Sequence, residues 1–280
     1  MTDSYLTELD TPSLGGIDLL EPADERLAEL ASNLNTLSTP SGARMRDPLD
    51  RSPLAELLAK AIAKKPHDTL FALGHKETLD AVKKGGDFKL PGLDLRVPAG
   101  VYPPRPGSST EFFCRNWLAA GLGAARGTLL DLGSGSGALT LYAARQGWRA
   151  TGADIDEVAV CTGRDNALRN GIEAEFVHSN LFAAFEHHRF DAILFNQPFV
   201  HKPSVRAEER ALASAGGEIT RRFLDQAADH LEPGGTLVFS YSNCSDDRLL
   251  DRSDWSFEMA ACDYESRGQY WRLLIVAKPA

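Results

Sequence analysis

The sequence predicts an α/β protein with a seven-stranded, mostly parallel sheet. From residue 128 onward, short apolar segments alternate with helical stretches, which is the pattern of a parallel sheet with crossover helices. A glycine-rich turn directly follows the first segment. The last two segments are only a few residues apart, so we expect them to pair as an antiparallel hairpin at the sheet edge. The predicted strands cover residues 128–131, 149–153, 175–178, 192–195, 236–241, 256–261 and 270–277.

The region before the sheet is predicted to be a small helical domain followed by a hairpin. Apolar residues at helical spacing favour helices over 21–34, from Ser52 to about residue 62, and over 76–84. The Pro91-Gly92 turn predicts a hairpin between residues 87–90 and 93–97. We therefore expect a disordered stretch at 1–20, a helical domain at 21–86, a hairpin and linker at 87–110, and the sheet domain at 111–280.

The composition is that of an ordinary globular protein. The 280 residues include 30 basic and 39 acidic side chains, a formal net charge of −9, and 43% of them are hydrophobic. Residues 1–50 carry a net charge of −7, whereas residues 51–115 carry +4. Because the acidity is concentrated near the N-terminus, it is a weak argument against a nucleic-acid partner for the rest of the chain.

The sequence indicates neither a membrane-spanning or secretion segment nor a metal site. No uninterrupted apolar run approaches the roughly 18 residues that span a bilayer, and the N-terminus lacks the pattern of a secretion signal. The four cysteines and seven histidines form no cluster with the spacing of a zinc site. We therefore predict a cytoplasmic protein with no membrane partner and no metal ion.

A glycine-rich turn is the first motif that indicates chemistry. Residues 129–137 read Leu-Leu-Asp-Leu-Gly-Ser-Gly-Ser-Gly, so a strand enters the turn and a helix follows it. Glycines let the backbone approach a ligand, and the start of the helix offers free amides to an anion. A dinucleotide, S-adenosylmethionine and a merely tight turn all remain possible here. The predicted cofactor contacts are Gly133, Ser134, Gly135 and Gly137.

The second strand ends in an acidic residue, Asp154, which lies 21 positions after Gly133. At that place a carboxylate can accept hydrogen bonds from the hydroxyls of an adenosine ribose. The next residue, Ile155, is also a predicted cofactor contact. The alternative for Asp154 is a helix N-cap role shared with Asp156.

The fourth strand leads into Asn196-Gln197-Pro198-Phe199. The order of DLGSGSG, GADID, SNLF and FNQPF resembles the class I S-adenosylmethionine-dependent methyltransferases. Within that class it is most similar to the branch with an Asn-Pro-Pro-Tyr-like loop that methylates nitrogen, above all to the release-factor glutamine methyltransferases and their relatives acting on guanine or adenine amino groups. The resemblance covers about residues 97–280. It implies a Rossmann-like methyltransferase sheet and S-adenosylmethionine as the cofactor.

The resemblance also implies roles for the loop residues. The Asn196 side-chain carbonyl and the backbone carbonyl of Gln197 would accept the two N–H groups of a planar nitrogen, Pro198 would keep the loop extended, and the Phe199 ring would stack on the acceptor. Gln197 departs from the family, which has a proline there. Glutamine nevertheless keeps the backbone carbonyl that this role uses.

Further cofactor contacts follow from the same resemblance. Asp131 would lie near the methionine end, with bracing of the glycine turn as its alternative. Asn180 and Leu181 would lie at the adenine, where Asn180 replaces the usual aspartate and can accept through its amide oxygen. Tyr102 and Arg105 belong to a proline-rich segment that would close over the cofactor or serve as a linker. Asn196 would touch both cofactor and acceptor.

These features together predict an S-adenosylmethionine-dependent N-methyltransferase whose favoured acceptor is a glutamine-like amide of a protein or peptide. A small molecule of secondary metabolism is the next acceptor, followed by an amino group of RNA or DNA. A non-methylating enzyme that uses S-adenosylmethionine and a binding module that senses it are alternatives from other classes. A dehydrogenase is the weakest alternative, because no His or Tyr-Lys arrangement for hydride transfer is present.

Overall fold

The computed structural model describes residues 75–123, 127–202, 213–215, 217–242, 245, 247–265 and 270–280. The predicted disordered stretch at 1–20 and the predicted helices at 21–34 and from Ser52 lie outside these residues. The first described element is helix α1, His75–Lys84, which agrees with the helix predicted over 76–84. It ends at Gly85, whose φ of 60° favours glycine and whose amide donates to the carbonyl of Ala81.

Strands β1 (Gly86–Leu90) and β2 (Leu93–Val97) form the predicted antiparallel hairpin. Two asparagines hold the free edge of β2 against helix α4 (Glu157–Asn170). The Asn166 amide accepts from the backbone N–H of Arg96 at 2.8 Å and donates to its carbonyl at 3.1 Å. One helical turn later, Asn170 makes the same pair of bonds with Asp94, at 2.9 and 2.8 Å. The two amides therefore pair with β2 as an additional strand would.

The main sheet has seven strands in the order β10-β11-β9-β6-β3-β4-β5. Strands β3 to β6 and β9 are parallel, and β11 runs antiparallel to both β9 and β10. The predicted seven strands and the antiparallel edge pair are confirmed. The bounds are β3 Thr128–Leu132, β4 Arg149–Asp154, β5 Glu175–His178, β6 Phe190–Phe195, β9 Leu231–Ser242, β10 Trp255–Glu265 and β11 Tyr270–Pro279.

Two strands differ from their predicted extent. Strand β9 begins at Leu231, which pairs with Phe190, and residues 232–235 form an irregularity before Thr236 pairs with Ala192. Strand β10 extends to residue 265 because β11 supplies partners along that length. A short parallel pair, β7 (Val200–Lys202) and β8 (Ala213–Ala215), was not predicted.

Helices cover both faces of the sheet. Leu129 and Leu194 face the side packed by α2, α3, α4 and the hairpin, whereas Leu130 and Phe195 face the side packed by α5. Among the helices that the structure describes, none has the length and the apolar composition of a membrane-spanning segment. The helices are α2 Ser109–Arg115, α3 Ala138–Arg145, α4 Glu157–Asn170 and α5 Glu218–Ala227.

The ring of Phe176 fills a recess lined by three glycines. Phe176 lies on β5 and is 3% exposed. A Cβ added to Gly137, Gly152 or Gly163 would approach atoms of this ring closer than 3.0 Å. Only residues without a side chain therefore let the end of the glycine-rich turn, β4 and α4 approach one another around the ring.

We expect Gly163→Ala to lower the free energy of unfolding by about 1–3 kcal/mol, since overpacking a filled site has this cost. Alanine normally stabilises a helix interior relative to glycine, so a loss of stability would be caused by the collision with Phe176. Urea unfolding measures the effect. The double variant Gly163→Ala with Phe176→Leu should lose less free energy of unfolding than the two single variants lose in sum. A Gly163→Ala protein as stable as the parent would contradict the packing described here.

Candidate cofactor and substrate site

The residues predicted to bind the cofactor meet at one edge of the sheet. Gly133 follows β3, Asp154 ends β4, Asn180 lies two residues after β5, and Asn196 follows β6. The carboxyl ends of parallel strands share one edge, and ligands of open α/β sheets bind there. The structure therefore brings these four sequence-predicted positions together.

Backbone hydrogen bonds connect the loops along this edge. The amide of Ser134 donates to the carbonyl of Ala153 at 3.0 Å, and the amide of Ser179 donates to the carbonyl of Asp154 at 2.8 Å. Each loop therefore has a fixed place relative to the next one.

The three glycines of the turn differ in why they must be glycine. All three have positive φ: 64° at Gly133, 53° at Gly135 and 78° at Gly137. A Cβ at Gly135 would meet nothing closer than the Gly133 carbonyl at 3.9 Å, so a ligand has room there. Gly137 is buried and begins helix α3, and its Cβ would collide with Gly163 and Phe176. The cofactor contact of Gly137 stays a prediction, because packing already accounts for this residue.

Ser134 carries a polar atom whose place indicates a ligand. Its side chain is 8% exposed, and its Oγ has no hydrogen-bond partner among the described residues. Buried hydroxyls are normally paired. A hydroxyl of this kind in a glycine-rich turn fits a bound molecule that completes its hydrogen bonding.

Asp154 connects the first two loops of the site. Its Oδ2 accepts from the amide of Gly135 at 2.9 Å, and its Oδ1 accepts from the amide of Asp156 at 3.0 Å. Asp156 is the N-cap of α4 and accepts from the amide of Val158. Asp156 therefore caps the helix, whereas Asp154 holds the glycine-rich turn. Burial raises the pKa of Asp154, and the backbone donors oppose that shift. A carboxylate accepts up to about four hydrogen bonds, so Asp154 keeps acceptor capacity for a ribose hydroxyl.

The residue that follows β4, Ile155, is apolar and exposed. It is 60% exposed, and its carbonyl lies 2.9 Å from Nε2 of His178. His178 therefore holds the backbone of Ile155 in place, and it was missed by the sequence analysis. An exposed apolar side chain next to Asp154 fits the flat face of a base, and its contact with a cofactor stays a prediction.

Residues after β5 adopt a strained conformation. Leu181 has a φ of 52° and is the one non-glycine residue with positive φ among those that the structure describes. Ser179 supports this conformation, because its hydroxyl donates to the Leu181 carbonyl at 2.7 Å and accepts from the Ala184 amide. Strain of this kind costs about 1–3 kcal/mol and is concentrated at functional sites.

Asn180 is exposed, and its Oδ1 accepts from Nη2 of Arg222 on α5 at 3.3 Å. The amide oxygen can accept one more hydrogen bond, so the predicted contact with adenine remains compatible with this geometry. Arg222 was not identified from the sequence, because it lies 42 residues away and belongs to no motif.

Asp131 braces the start of helix α3. Its side chain is 1% exposed, and its Oδ2 accepts from the Thr140 hydroxyl at 2.7 Å. Burial raises its pKa to about 7, against the opposing hydrogen bonds from Thr140. These contacts favour the bracing alternative, and a cofactor contact of Asp131 stays a prediction.

Tyr102 and Arg105 contact the neighbouring helices. The Tyr102 hydroxyl lies 3.3 Å from Oγ of Ser109 on α2, and Nη2 of Arg105 donates to the Thr78 hydroxyl on α1 at 2.6 Å. The closure of their segment over a cofactor stays a prediction.

The loop after β6 holds Asn196 between two hydroxyls. Its Nδ2 donates to Oγ1 of Thr110 on α2 at 3.4 Å, and its Oδ1 accepts from Oγ of Ser240 on β9 at 3.0 Å. Pro198 and Phe199 are partly buried. Thr110 and Ser240 lie 86 and 44 residues from Asn196, and no sequence pattern identified them.

The side chain of Gln197 lies inside the protein. It is 3% exposed, its Nε2 donates to the carbonyl of Ser240 at 2.6 Å, and its Oε1 accepts from the hydroxyl of Thr220. The role predicted for this residue uses its backbone carbonyl, and the buried side chain is compatible with that role.

Metal ligands do not form a group here. Across the described ranges, no three His, Cys, Asp or Glu side chains are placed to hold a metal ion.

A mostly parallel seven-stranded sheet with a glycine-rich turn after β3 and an acid at the end of β4 is the architecture of a class I S-adenosylmethionine-dependent methyltransferase. Residues 106–249 match the family described as methyltransferase small domain, and this match covers more than half of the chain. The chain belongs to that family.

Relatives of two kinds share part of the sequence. The chain is 32% identical over 166 residues to the release factor glutamine methyltransferase of Gloeobacter violaceus, a match that covers 52% of this chain and 56% of that one. It is 32% identical over 111 residues to the ribosomal RNA small subunit methyltransferase C of Alcanivorax borkumensis, covering 40% and 31%. The chain thus spans between about a third and about half of these relatives.

A solved structure shares the fold. The Thermus thermophilus 16S rRNA N2 G1207 methyltransferase, in complex with AdoMet and guanosine, superposes with a TM-score of 0.53 at 23% identity, covering 70% of this chain and 50% of that one. This likeness confirms the predicted sheet architecture.

S-adenosylmethionine is the cofactor of this class, and the residues of the site fit it. The open turn at Gly135 and the orphaned Ser134 hydroxyl suit its polar methionine part, Asp154 suits the ribose, and the exposed Ile155 suits the adenine.

We expect Asp154→Asn to weaken S-adenosylmethionine binding by about 10–100-fold, measured as Kd by calorimetry. An asparagine has one acceptor atom in place of two, so it cannot hold both the Gly135 and Asp156 amides. Asp156→Asn is the matched control, because asparagine caps helices as well as aspartate does. Equal affinities for the two variants would remove Asp154 from the cofactor site.

The stability of the protein should respond to the titration of Asp131. The folded protein keeps the Asp131 proton up to about pH 7, whereas the unfolded chain loses it near 3.8. The folded state binds the extra proton between these values, so this group's contribution to stability falls as the pH rises through that window.

The side chain of Asp131→Asn does not titrate. The free energy of unfolding of this variant, relative to that of the parent, should therefore increase by roughly 2–4 kcal/mol between pH 4 and pH 8. Urea unfolding across that range measures the difference. A difference that does not change between pH 4 and pH 8 would show that Asp131 has the same pKa in the folded and the unfolded protein.

Proposed function

We propose that the chain transfers a methyl group from S-adenosylmethionine to a planar nitrogen, and that its favoured acceptor is a glutamine-like amide of a protein or peptide. The observation that carries the proposal is the placement of Asn196. Its amide is anchored by Thr110 and Ser240 at the carboxyl end of β6, on the same edge as the glycine-rich turn.

The chemistry of a planar nitrogen explains the need for such an anchor. Its lone pair is delocalised into the neighbouring π-system, so it becomes a nucleophile only when its N–H groups are held and the lone pair is directed at the methyl group. S-adenosylmethionine supplies the methyl as a sulfonium, S-adenosylhomocysteine is the product, and the nitrogen releases one proton to solvent. The protein contributes alignment, which accounts for several kcal/mol of barrier lowering.

The loop supplies two acceptors for this alignment. Oδ1 of Asn196 uses one lone pair for Ser240 and has a second one for an N–H of the acceptor. The backbone carbonyl of Gln197 is the other acceptor, since Pro198 disfavours the helical conformation at the residue before it. The ring of Phe199 would cover the flat face of the acceptor.

The relatives support a glutamine acceptor. Matches of 27–33% identity to release factor glutamine methyltransferases from several bacteria cover 48–70% of this chain. We propose residues 111–280 as the cofactor-binding domain, with the helical region 21–86 and the hairpin and linker at 87–110 before it.

A guanine amino group of ribosomal RNA is the second candidate acceptor. The relative from Alcanivorax borkumensis favours it, because its name assigns it to ribosomal RNA. A guanine amino group is also a planar nitrogen, so the same loop would serve it.

The test offers the protein two acceptors in separate reactions with methyl-tritiated S-adenosylmethionine: a purified bacterial release factor and small-subunit ribosomal RNA. We expect label in the release factor, with mass spectrometry placing the methyl group on a glutamine side-chain nitrogen. Asn196→Ala is the control and should lose at least about 100-fold in rate when both proteins are saturated with S-adenosylmethionine.

Other outcomes distinguish the alternatives. Label in the RNA, with binding that weakens steeply as salt increases, would establish the second candidate. Methylthioadenosine formed without any acceptor would overturn methyl transfer altogether. Transfer that survives in Asn196→Ala would overturn the role of the loop.

A further inference from the structure

A buried polar network surrounds the loop after β6. Its centre is Gln197, whose side chain is 3% exposed and whose two amide atoms both have partners. Its Nε2 donates to the Ser240 carbonyl at 2.6 Å, and its Oε1 accepts from the Thr220 hydroxyl. A glutamine that is buried with both ends used is held in one conformation.

The partners of Gln197 come from two different elements. Thr220 lies in the first turn of α5, and Ser240 lies on β9, the parallel neighbour of β6. Both are fully buried. Gln197 therefore connects the loop to a strand beside it and to a helix on one face of the sheet.

Ser240 links Gln197 to Asn196. Its backbone carbonyl accepts from Gln197, and its hydroxyl donates to Oδ1 of Asn196 at 3.0 Å. On the other side, Nδ2 of Asn196 donates to the hydroxyl of Thr110, which is 4% exposed. The rotation of the Asn196 amide is thus set by groups that are themselves buried.

We propose that Ser240 and Gln197 are positioning residues for Asn196. Together they fix the direction of the Asn196 side-chain carbonyl and of the backbone carbonyl at residue 197. The catalytic consequence rests on the proposed function. The positioning itself does not, because it is a statement about buried groups of this chain.

The network also explains the glutamine at position 197. A proline there has no side chain that reaches Thr220 and the Ser240 carbonyl, so both polar groups would be left buried and unpaired. The Gln197 amide supplies the donor to Ser240 and the acceptor to Thr220, and the proline ring has neither group. Gln197→Pro should therefore impair transfer in this chain, although the family that the loop resembles has proline at this place.

The first arm of the test measures transfer to whichever acceptor the parent methylates. Gln197→Met and Ser240→Ala should lower kcat by about 10–100-fold, because a misplaced group near the reacting atoms has this effect. The Kd for S-adenosylmethionine should stay within about twofold, since neither side chain contacts the glycine-rich turn. On the Asn196→Ala background the same changes should add no further loss. Additive losses would overturn the proposal.

Two threonines provide matched comparisons. Thr220→Val removes the donor to Gln197 and should lower kcat, whereas Thr220→Ser keeps the hydroxyl and should restore it. Thr162→Val is the control, because Thr162 is also a buried threonine but donates to the Val158 carbonyl within α4. An equal loss in Thr220→Ser and Thr220→Val would indicate a packing effect and overturn the proposal.

The second arm needs no acceptor. In ¹⁵N-asparagine-labelled protein, the side-chain amide signals of Asn196 are assigned by their loss in Asn196→Ala. Ser240→Ala and Gln197→Met should shift these signals and speed their exchange with water, while the signals of Asn180 stay in place. Unchanged Asn196 signals would overturn the positioning. Shifted signals in a protein that methylates no acceptor would retain the positioning and overturn the proposed function.

Discussion

The geometry of the site depends on how closely the glycine-rich turn, β4 and α4 approach one another around the ring of Phe176. Gly137, Gly152 and Gly163 line the recess, and a side-chain carbon at any of them would collide with the ring. This packing fixes the start of α3 against α4, and with it the direction in which the turn presents its amides. The cofactor loop is therefore placed by the core beneath it, before any ligand contributes.

Above that core, the loops are held by single polar side chains that bind backbone groups. Asp154 accepts from the amide of Gly135, and Asn166 donates to the carbonyl of Ser136 while it also binds Arg96 in the hairpin. Gln197 has the same part in the loop after β6. Hydrogen bonds of this kind hold each loop in one geometry.

The features that could be predicted from the sequence have short-range signals. The turn at Gly133 and the acid at Asp154 follow strands at fixed offsets, and apolar periodicity located the seven strands. The contacts of Asn196 and Gln197 with Thr110, Thr220 and Ser240 join residues 23–86 positions apart, and single serines or threonines show no pattern. The interior place of the Gln197 side chain follows from packing between elements, which one sequence does not reveal.

A crystal structure grown with S-adenosylhomocysteine is the most direct test of this cofactor site, because it locates both ends of the ligand relative to the loop after β6. We expect ribose hydroxyls on the Asp154 carboxylate, the adenine against Ile155, and the sulfur directed toward Asn196. A nucleoside bound away from Asp154, or a sulfur on the side of the turn facing away from Asn196, would contradict this placement.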